Sequence, residues 1–144
     1  MFNRVLTVCI GNICRSPTAE YLFRQRLAPR GIQLSSAGLG ALAGHPMDAT
    51  ALQLLTEHDI DGAAHRARQL TPGMLRDADL VLGMEKSHVA AMVRLAPEAS
   101  GKIFLLDKWV QGRDIPDPYR QQRVAFEHVY GMIVQGVESW LRYL

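Results

Sequence analysis

The stretch from Arg4 to Pro17, Arg4-Val5-Leu6-Thr7-Val8-Cys9-Ile10-Gly11-Asn12-Ile13-Cys14-Arg15-Ser16-Pro17, limits the fold more than any other part of the chain. Its β-branched run over 4–9 breaks at Gly11-Asn12, the pattern of a strand entering a turn. Ser16 precedes a proline, which biases its backbone away from helix, while Pro17 suits a first helical position. Ala19, Leu22, Phe23 and Leu27 then share one face, which predicts a helix that starts at Ser16 and stops near Gly31.

The rest of the chain continues this alternation. Gln33-Leu34-Ser35-Ser36 reads as a short second strand, followed by a glycine-rich loop over 38–46. Asp48 is placed to cap a helix running through His58, and Thr71-Pro72 opens another short one. Buried strands are expected over 78–84 and 102–106, separated by a helix over about 85–95, the β-α-β order of a parallel sheet. Phe126, Tyr130, Ile133, Val137, Trp140 and Leu144 recur at steps of three and four and form one face of a terminal helix. That face fits docking on the sheet better than a partner surface. No repeat or linker interrupts the 144 residues, so one α/β domain with a four-stranded parallel sheet is expected over 1–144.

Composition excludes several functions. With 48% hydrophobic and 21% charged residues the chain buries a core and is not a disordered one. A formal charge of +2 is too near neutrality for a nucleic-acid binder. The bias of 13 arginines to three lysines suits anion recognition, but a GC-rich genome gives the same bias. The longest stretch free of charged side chains, 31–47, contains Pro46, His45 and several Gly and Ser, so no stable membrane insertion is expected. The start runs straight into the first strand without a signal-peptide pattern, which points to a cytoplasmic location. Cys9 and Cys14 are the only cysteines; they read as thiols in a reducing compartment, and without a histidine pair no metal site or cofactor is expected.

The chemistry concentrates in 9–16. A Cys-x5-Arg spacing alone is weak, but its position between a strand and a helix is informative. A loop there turns successive N–H groups inward and makes a seat for a tetrahedral oxyanion. Gly11 and Asn12 are expected to supply the positive φ angles of such a ring. Arg15 offers a bidentate grip on two phosphate oxygens. Cys9, among N–H donors and beside a guanidinium, sits where the thiolate is favoured. Ser16 is placed to donate to its sulfur, and a plain helix-capping role is compatible with that. Asp117, held between Pro116 and Pro118, is a candidate general acid, although that segment by itself equally describes an ordinary turn.

Val8-Cys9-Ile10-Gly11-Asn12-Ile13-Cys14-Arg15-Ser16-Pro17 together with Asp117-Pro118-Tyr119 resembles the low-molecular-weight protein tyrosine phosphatases, over essentially the whole chain. Ser36-Ala37-Gly38, the segment 65–69 and the run Ile115-Pro116-Asp117-Pro118-Tyr119-Arg120 bring it nearest to the bacterial, Wzb-like branch associated with capsule and exopolysaccharide. The resemblance implies a three-layer α/β/α fold and metal-free hydrolysis of phosphotyrosine. Cys9 would attack phosphorus, Ile10, Gly11, Asn12, Ile13, Cys14 and Ser16 would cradle the phosphate, and Asp117 would protonate the phenolate and later activate water. Ser36 and His65 would hold Asn12 in its strained conformation; His65 read alone is an ordinary surface histidine. Tyr119 would line the slot and stack on the substrate ring. The animal branch has two adjacent tyrosines there, whereas Arg120 follows Tyr119 here, which changes the rim. Cys14 would trap oxidised Cys9 as a disulfide, or be a small buried residue. The implied partner is a phosphotyrosine protein, an autophosphorylating bacterial tyrosine kinase of polysaccharide export.

Three other readings share parts of this pattern. An arsenate reductase of the same fold needs two further downstream cysteines, and none follows Cys14. A non-catalytic phosphoprotein-binding module, or a phosphocarrier, has no use for an acid at Asp117.

Overall fold

A computed structural model describes residues 2–144. Four strands, β1 (Arg4–Cys9), β2 (Gln33–Gly38), β3 (Leu80–Gly83) and β4 (Ile103–Leu105), form one parallel sheet in the order β2-β1-β3-β4. Five α-helices connect and cover them: α1 (Arg15–Leu27), α2 (Ala49–Glu57), α3 (Pro72–Asp77), α4 (Lys86–Leu95) and α5 (Arg123–Trp140). Short 3-10 turns follow α1, α4 and α5.

The alternation of β1 divides the core in two. Val5 and Cys9 face one side, with Phe23 and Leu27 of α1, Leu54 and Leu55 of α2, and Phe126, Ile133, Val137 and Trp140 of α5. Leu6 and Val8 face the other, against Leu75 of α3 and Met92 of α4. The terminal helix thus docks through the face its periodicity marks out. Within that stripe Tyr130 is half-buried and stacks on His58 at 4.7 Å, and Leu144 lies past the helix end.

Local chemistry sets most boundaries. Asp48 Oδ1 accepts the N–H groups of Thr50 and Ala51 and starts α2. Thr71 Oγ1 accepts from Met74 N and starts α3, with Pro72 in its first turn. The α1 expectation needs correction. The helix begins at Arg15 with Cys14 as its cap residue, so Pro17 is its third residue, and Ser16 lies inside the first turn rather than capping it. Proline is tolerated there because the first four N–H groups of a helix have no intrahelical acceptor. α1 ends at Leu27, and a 3-10 turn carries the chain to Gly31 at φ 74°. Strands β3 and β4 are shorter than their apolar runs.

β2 extends to Gly38, where a loop was expected, and Gly38 pairs with Cys9. A Cβ on Gly38 would lie 2.3 Å from the Ile10 carbonyl oxygen and 3.0 Å from Asn12 Cβ. Only glycine lets β2 run alongside the loop that follows β1. β1 and β3 are sheet neighbours whose following segments diverge to opposite faces, so a crevice opens outside their carboxyl ends.

Candidate active site

The loop between β1 and α1 has all its carbonyl groups engaged on its outer side. Cys9, Ile10 and Gly11 accept from the N–H groups of Leu39, Gly40 and Leu42 at 2.9, 3.0 and 3.1 Å. Ile13 accepts from Asp48 N at 2.8 Å, and Cys14 from Thr18 N at 3.2 Å. The carbonyl of Asn12 is met by His65 Nε2 at 2.7 Å; a carbonyl only accepts, so that ring nitrogen carries a proton. With the carbonyls turned outward, the N–H groups of 10–14 have no acceptor among the described residues. They face a cavity of about 180 Å³ lined by 9–15 together with Gly40, Leu42, Asp117 and Tyr119.

Asn12 shapes the ring. It is the loop residue with positive φ, 57°; Gly11 is not in that region, contrary to expectation, and one left-handed residue suffices to reverse the chain. Its side chain is fully used and fully buried: Nδ2 donates to Ser16 Oγ at 2.8 Å and Ser36 Oγ at 3.0 Å, and Oδ1 accepts from Arg68 N at 2.9 Å. Ser16 Oγ lies 2.8 Å from Cys9 Sγ. Since that hydroxyl already accepts from Asn12, its own proton is free for the sulfur. Ser36 in turn donates to Glu20 Oε1 at 2.6 Å. The expected supports of Asn12, Ser36 and His65, are therefore in contact with it, and His65 is buried rather than on the surface. Glu20 and Arg68 extend the network and were not anticipated.

Arg15 is 2% exposed, a position that costs a guanidinium heavily unless it is paired. Its Nη1 donates to Glu85 Oε2 at 2.5 Å and to the Ile115 carbonyl at 2.8 Å. Nη2 lies 3.8 Å from Asp117 Oδ2. With Nη1 occupied, the edge formed by Nε and Nη2 is left for two oxygens of a ligand, the bidentate arrangement. Glu85 is a third residue that sequence reasoning missed. It follows the carboxyl end of β3, the strand beside β1, and that adjacency was the available signal.

Asp117 is 47% exposed in its side chain and sits across the cavity. One carboxylate oxygen, Oδ1, accepts the Tyr119 N–H at 3.0 Å, which leaves Oδ2 toward Arg15. Ile10, Leu42 and Tyr119 are exposed hydrophobic residues, and all three line this cavity. Cys14 is buried in the same lining; burial, then the neighbouring Cys9, pushes its thiol pKa far upward and keeps the proton on sulfur. Neither cysteine is in a disulfide. Among the described residues no group of three or more His, Cys, Asp and Glu is placed to hold a metal, and no helix is long and apolar enough to cross a membrane.

Comparison with known proteins agrees with this geometry. Residues 4–144 match the model of the low molecular weight phosphotyrosine protein phosphatases. The chain is 46% identical over 143 residues to Etp, a low molecular weight protein-tyrosine-phosphatase of Escherichia coli K12, covering 99% of this chain and 95% of Etp. It superimposes on Vibrio vulnificus Wzb in complex with benzylphosphonate with a TM-score of 0.95 at 42% identity, covering all of both chains. The YwlE arginine phosphatase of Geobacillus stearothermophilus is similar at a TM-score of 0.90 and 32% identity, covering 99% of this chain and 92% of that one. A loop of free N–H groups that runs from Cys9 to Arg15 is thus found on a chain that belongs, over nearly its whole length, to the low molecular weight phosphotyrosine protein phosphatase family.

Proposed function

We propose that the protein hydrolyses phosphotyrosine in proteins through a phosphocysteine intermediate, with Cys9 as nucleophile, Arg15 as phosphate clamp and Asp117 as general acid and base. One observation carries this reading: Cys9 lines the cavity together with a loop whose N–H groups are free while its carbonyls are tied outward. Such fixed dipoles stabilise the extra negative charge of a phosphoryl group in transfer. The Ser16 hydroxyl is in position to donate a hydrogen bond to the Cys9 sulfur.

In the first step the thiolate forms an S–P bond as the P–O(aryl) bond breaks, and Asp117 gives its proton to the leaving phenolate. In the second, Asp117 takes a proton from water as its oxygen bonds phosphorus, the S–P bond breaks, and inorganic phosphate leaves. The Arg15 edge follows the phosphoryl oxygens through both steps. Ser36 and His65 act by holding Asn12, and Glu85 by holding Arg15. No cofactor takes part. Ile10, Leu42 and Tyr119 wall the mouth with apolar surface, which suits an aromatic ring and leaves a short phosphoserine unsupported.

The substrate we favour is a tyrosine-phosphorylated protein, an autophosphorylating bacterial kinase of polysaccharide export, in the cytoplasm. The Wzb-like sequence pattern supports this, and relatives named as the low molecular weight protein-tyrosine-phosphatases Etp and Wzb support the phosphotyrosine part of it. The test is metal-free hydrolysis, with EDTA, of matched phosphotyrosine, phosphoserine and phosphoarginine peptides. Turnover of the tyrosine peptide above the other two, lost in Cys9→Ser, is expected. Preference for phosphoarginine would move the protein to the arginine-phosphatase substrate class, and binding without turnover would make it a phosphoprotein-binding module.

A further inference from the structure

His88 has no part in the steps above, yet it is a buried histidine, 2% exposed, in the first turn of α4. α4 comes close to the sheet at that point because Gly83 has no side chain: a Cβ there would lie 3.1 Å from Met92 Cε and 3.4 Å from His88 Cβ. The ring orientation is informative. Nδ1 accepts the Glu85 backbone N–H at 3.3 Å, so Nδ1 carries no proton and the ring proton resides on Nε2. Nε2 lies 3.5 Å from Glu85 Oε2, the oxygen that receives Arg15 Nη1 at 2.5 Å. A single imidazole therefore touches both the backbone and the carboxylate of the residue that holds the phosphate-binding arginine.

We propose that His88 is a positioning residue for phosphotyrosine hydrolysis: its Nε2-protonated ring holds the Glu85 carboxylate against Arg15 and so fixes the guanidinium edge left for phosphate. This rests on the phosphatase reading above. Charged groups face the ring from three directions: Arg15 on α1, Glu85 at the head of α4, and Asp114 and Asp117 on the segment before α5. Burial first, then Arg15, lowers the imidazole pKa from its ordinary 6.5, while Glu85, Asp114 and Asp117 oppose them. The ring is neutral at physiological pH. Once protonated, Nδ1–H would confront the Glu85 N–H and the ring charge would confront Arg15. Activity should then fall on the acid side through an ionisation that belongs to His88.

His88→Asn keeps an acceptor near the Nδ1 position but places nothing at Nε2; His88→Gln supplies an N–H near Nε2. Steady-state kinetics with a phosphotyrosine peptide, pH profiles of kcat/KM, thermal melting and calorimetric binding of inorganic phosphate are measured for wild type and both variants. His88→Asn should melt like wild type yet lose about 10- to 100-fold in kcat, the scale of a 1 Å misplacement. It should also bind phosphate more weakly and lack the His88 ionisation, and His88→Gln should recover most of the rate. Wild-type kcat and pH profile in His88→Asn, or equal losses in the two variants, would overturn the proposal. Wild-type protein without turnover would instead refute the phosphatase reading. His88 would then be judged by phosphate binding, with unchanged affinity in His88→Asn overturning its role. Should the variants fail to fold, nitrogen NMR of wild type decides: a ring protonated on Nε2 that titrates below 6.5 is expected, and one protonated on Nδ1 overturns the proposal.

Discussion

The two loops that meet at the cavity are built in opposite ways. The loop over 10–14 is knitted into the protein: its carbonyls bond to the segments at 39–48 and to His65, and Asn12 is fully buried with its whole side chain engaged. The segment over 107–121 is held at its root and again at Pro118, which is buried beside residues of α2 and α5, while Asp117 and Tyr119 on either side of it are exposed. Asp107, fully buried, accepts the backbone and side chain of Arg113, and Ile115 bonds to Met84 and Arg15. Beyond Ile115 its hydrogen bonds are local: Asp117 Oδ1 accepts from Tyr119 N, the Pro118 carbonyl from Gln121 N, and the Asp117 carbonyl from Gln121 Nε2. The difference follows from the two tasks. Stabilising developing charge on phosphate requires dipoles that do not reorganise. Protonating a leaving oxygen requires one carboxylate within reach, and a substrate must pass it to enter, which suits an exposed tip.

The contrast is open to attack by substitution on each side. Cys9→Ser should lower turnover of a phosphotyrosine peptide by at least about 10⁴-fold while calorimetry still detects phosphate binding, because the N–H ring remains. Asp117→Asn should cost on the order of 10²–10⁴ in kcat, most for aryl phosphates with poor leaving groups. Its melting should stay within about 0.5 kcal/mol of wild type, since it changes an exposed tip. A matching loss of stability would show that the tip is not independent of the cradle. Gly38→Ala is the converse, far from the reacting atoms in sequence but pressed on the Ile10 carbonyl. Overpacking there should destabilise the protein by about 1–3 kcal/mol and weaken phosphate binding together, as read by denaturant titration and calorimetry.

The smallest effect expected is a pH dependence. The pKa of His88 is lowered in the folded protein, mainly by burial, so the unfolded chain takes up its proton first as pH falls. Stability should therefore be full above the ordinary value of 6.5 and decline as pH is lowered through it toward the depressed folded value. Denaturant midpoints in that window should follow this slope in wild type and lose it in His88→Asn.

Which of these features the sequence disclosed depended on how far apart the partners lie in the chain. β1, the Asp48 cap and the face of α5 are local patterns, and their chemistry acts within a few residues. Cys9, Arg15 and Ser16 were legible for the same reason, though the start of α1 was displaced because a proline fits any of the first helical positions. Gly11 and Asn12 both read as sources of positive φ, and of the two Asn12 alone has it. Gly38 resembled the start of a loop, because a glycine in a strand is unremarkable until the backbone against it is known. Ser36 and His65 entered through family resemblance, not through their surroundings. Glu85, 70 residues from Arg15, and Glu20, which reaches Asn12 only through Ser36, belong to contacts made by sheet order. Periodicity says which face is buried, but not which charged residue meets another across two strands.

The most direct test of the account is to mix reduced wild-type protein with a phosphotyrosine peptide, quench within the first turnover by denaturation, and locate phosphate on the chain by mass spectrometry. Phosphate on Cys9, absent from Cys9→Ser and formed more slowly in Asp117→Asn, is the predicted result. Release of phosphate with Cys9 never modified would contradict it, and would leave the cradle as a binding site for a reaction that water carries out alone.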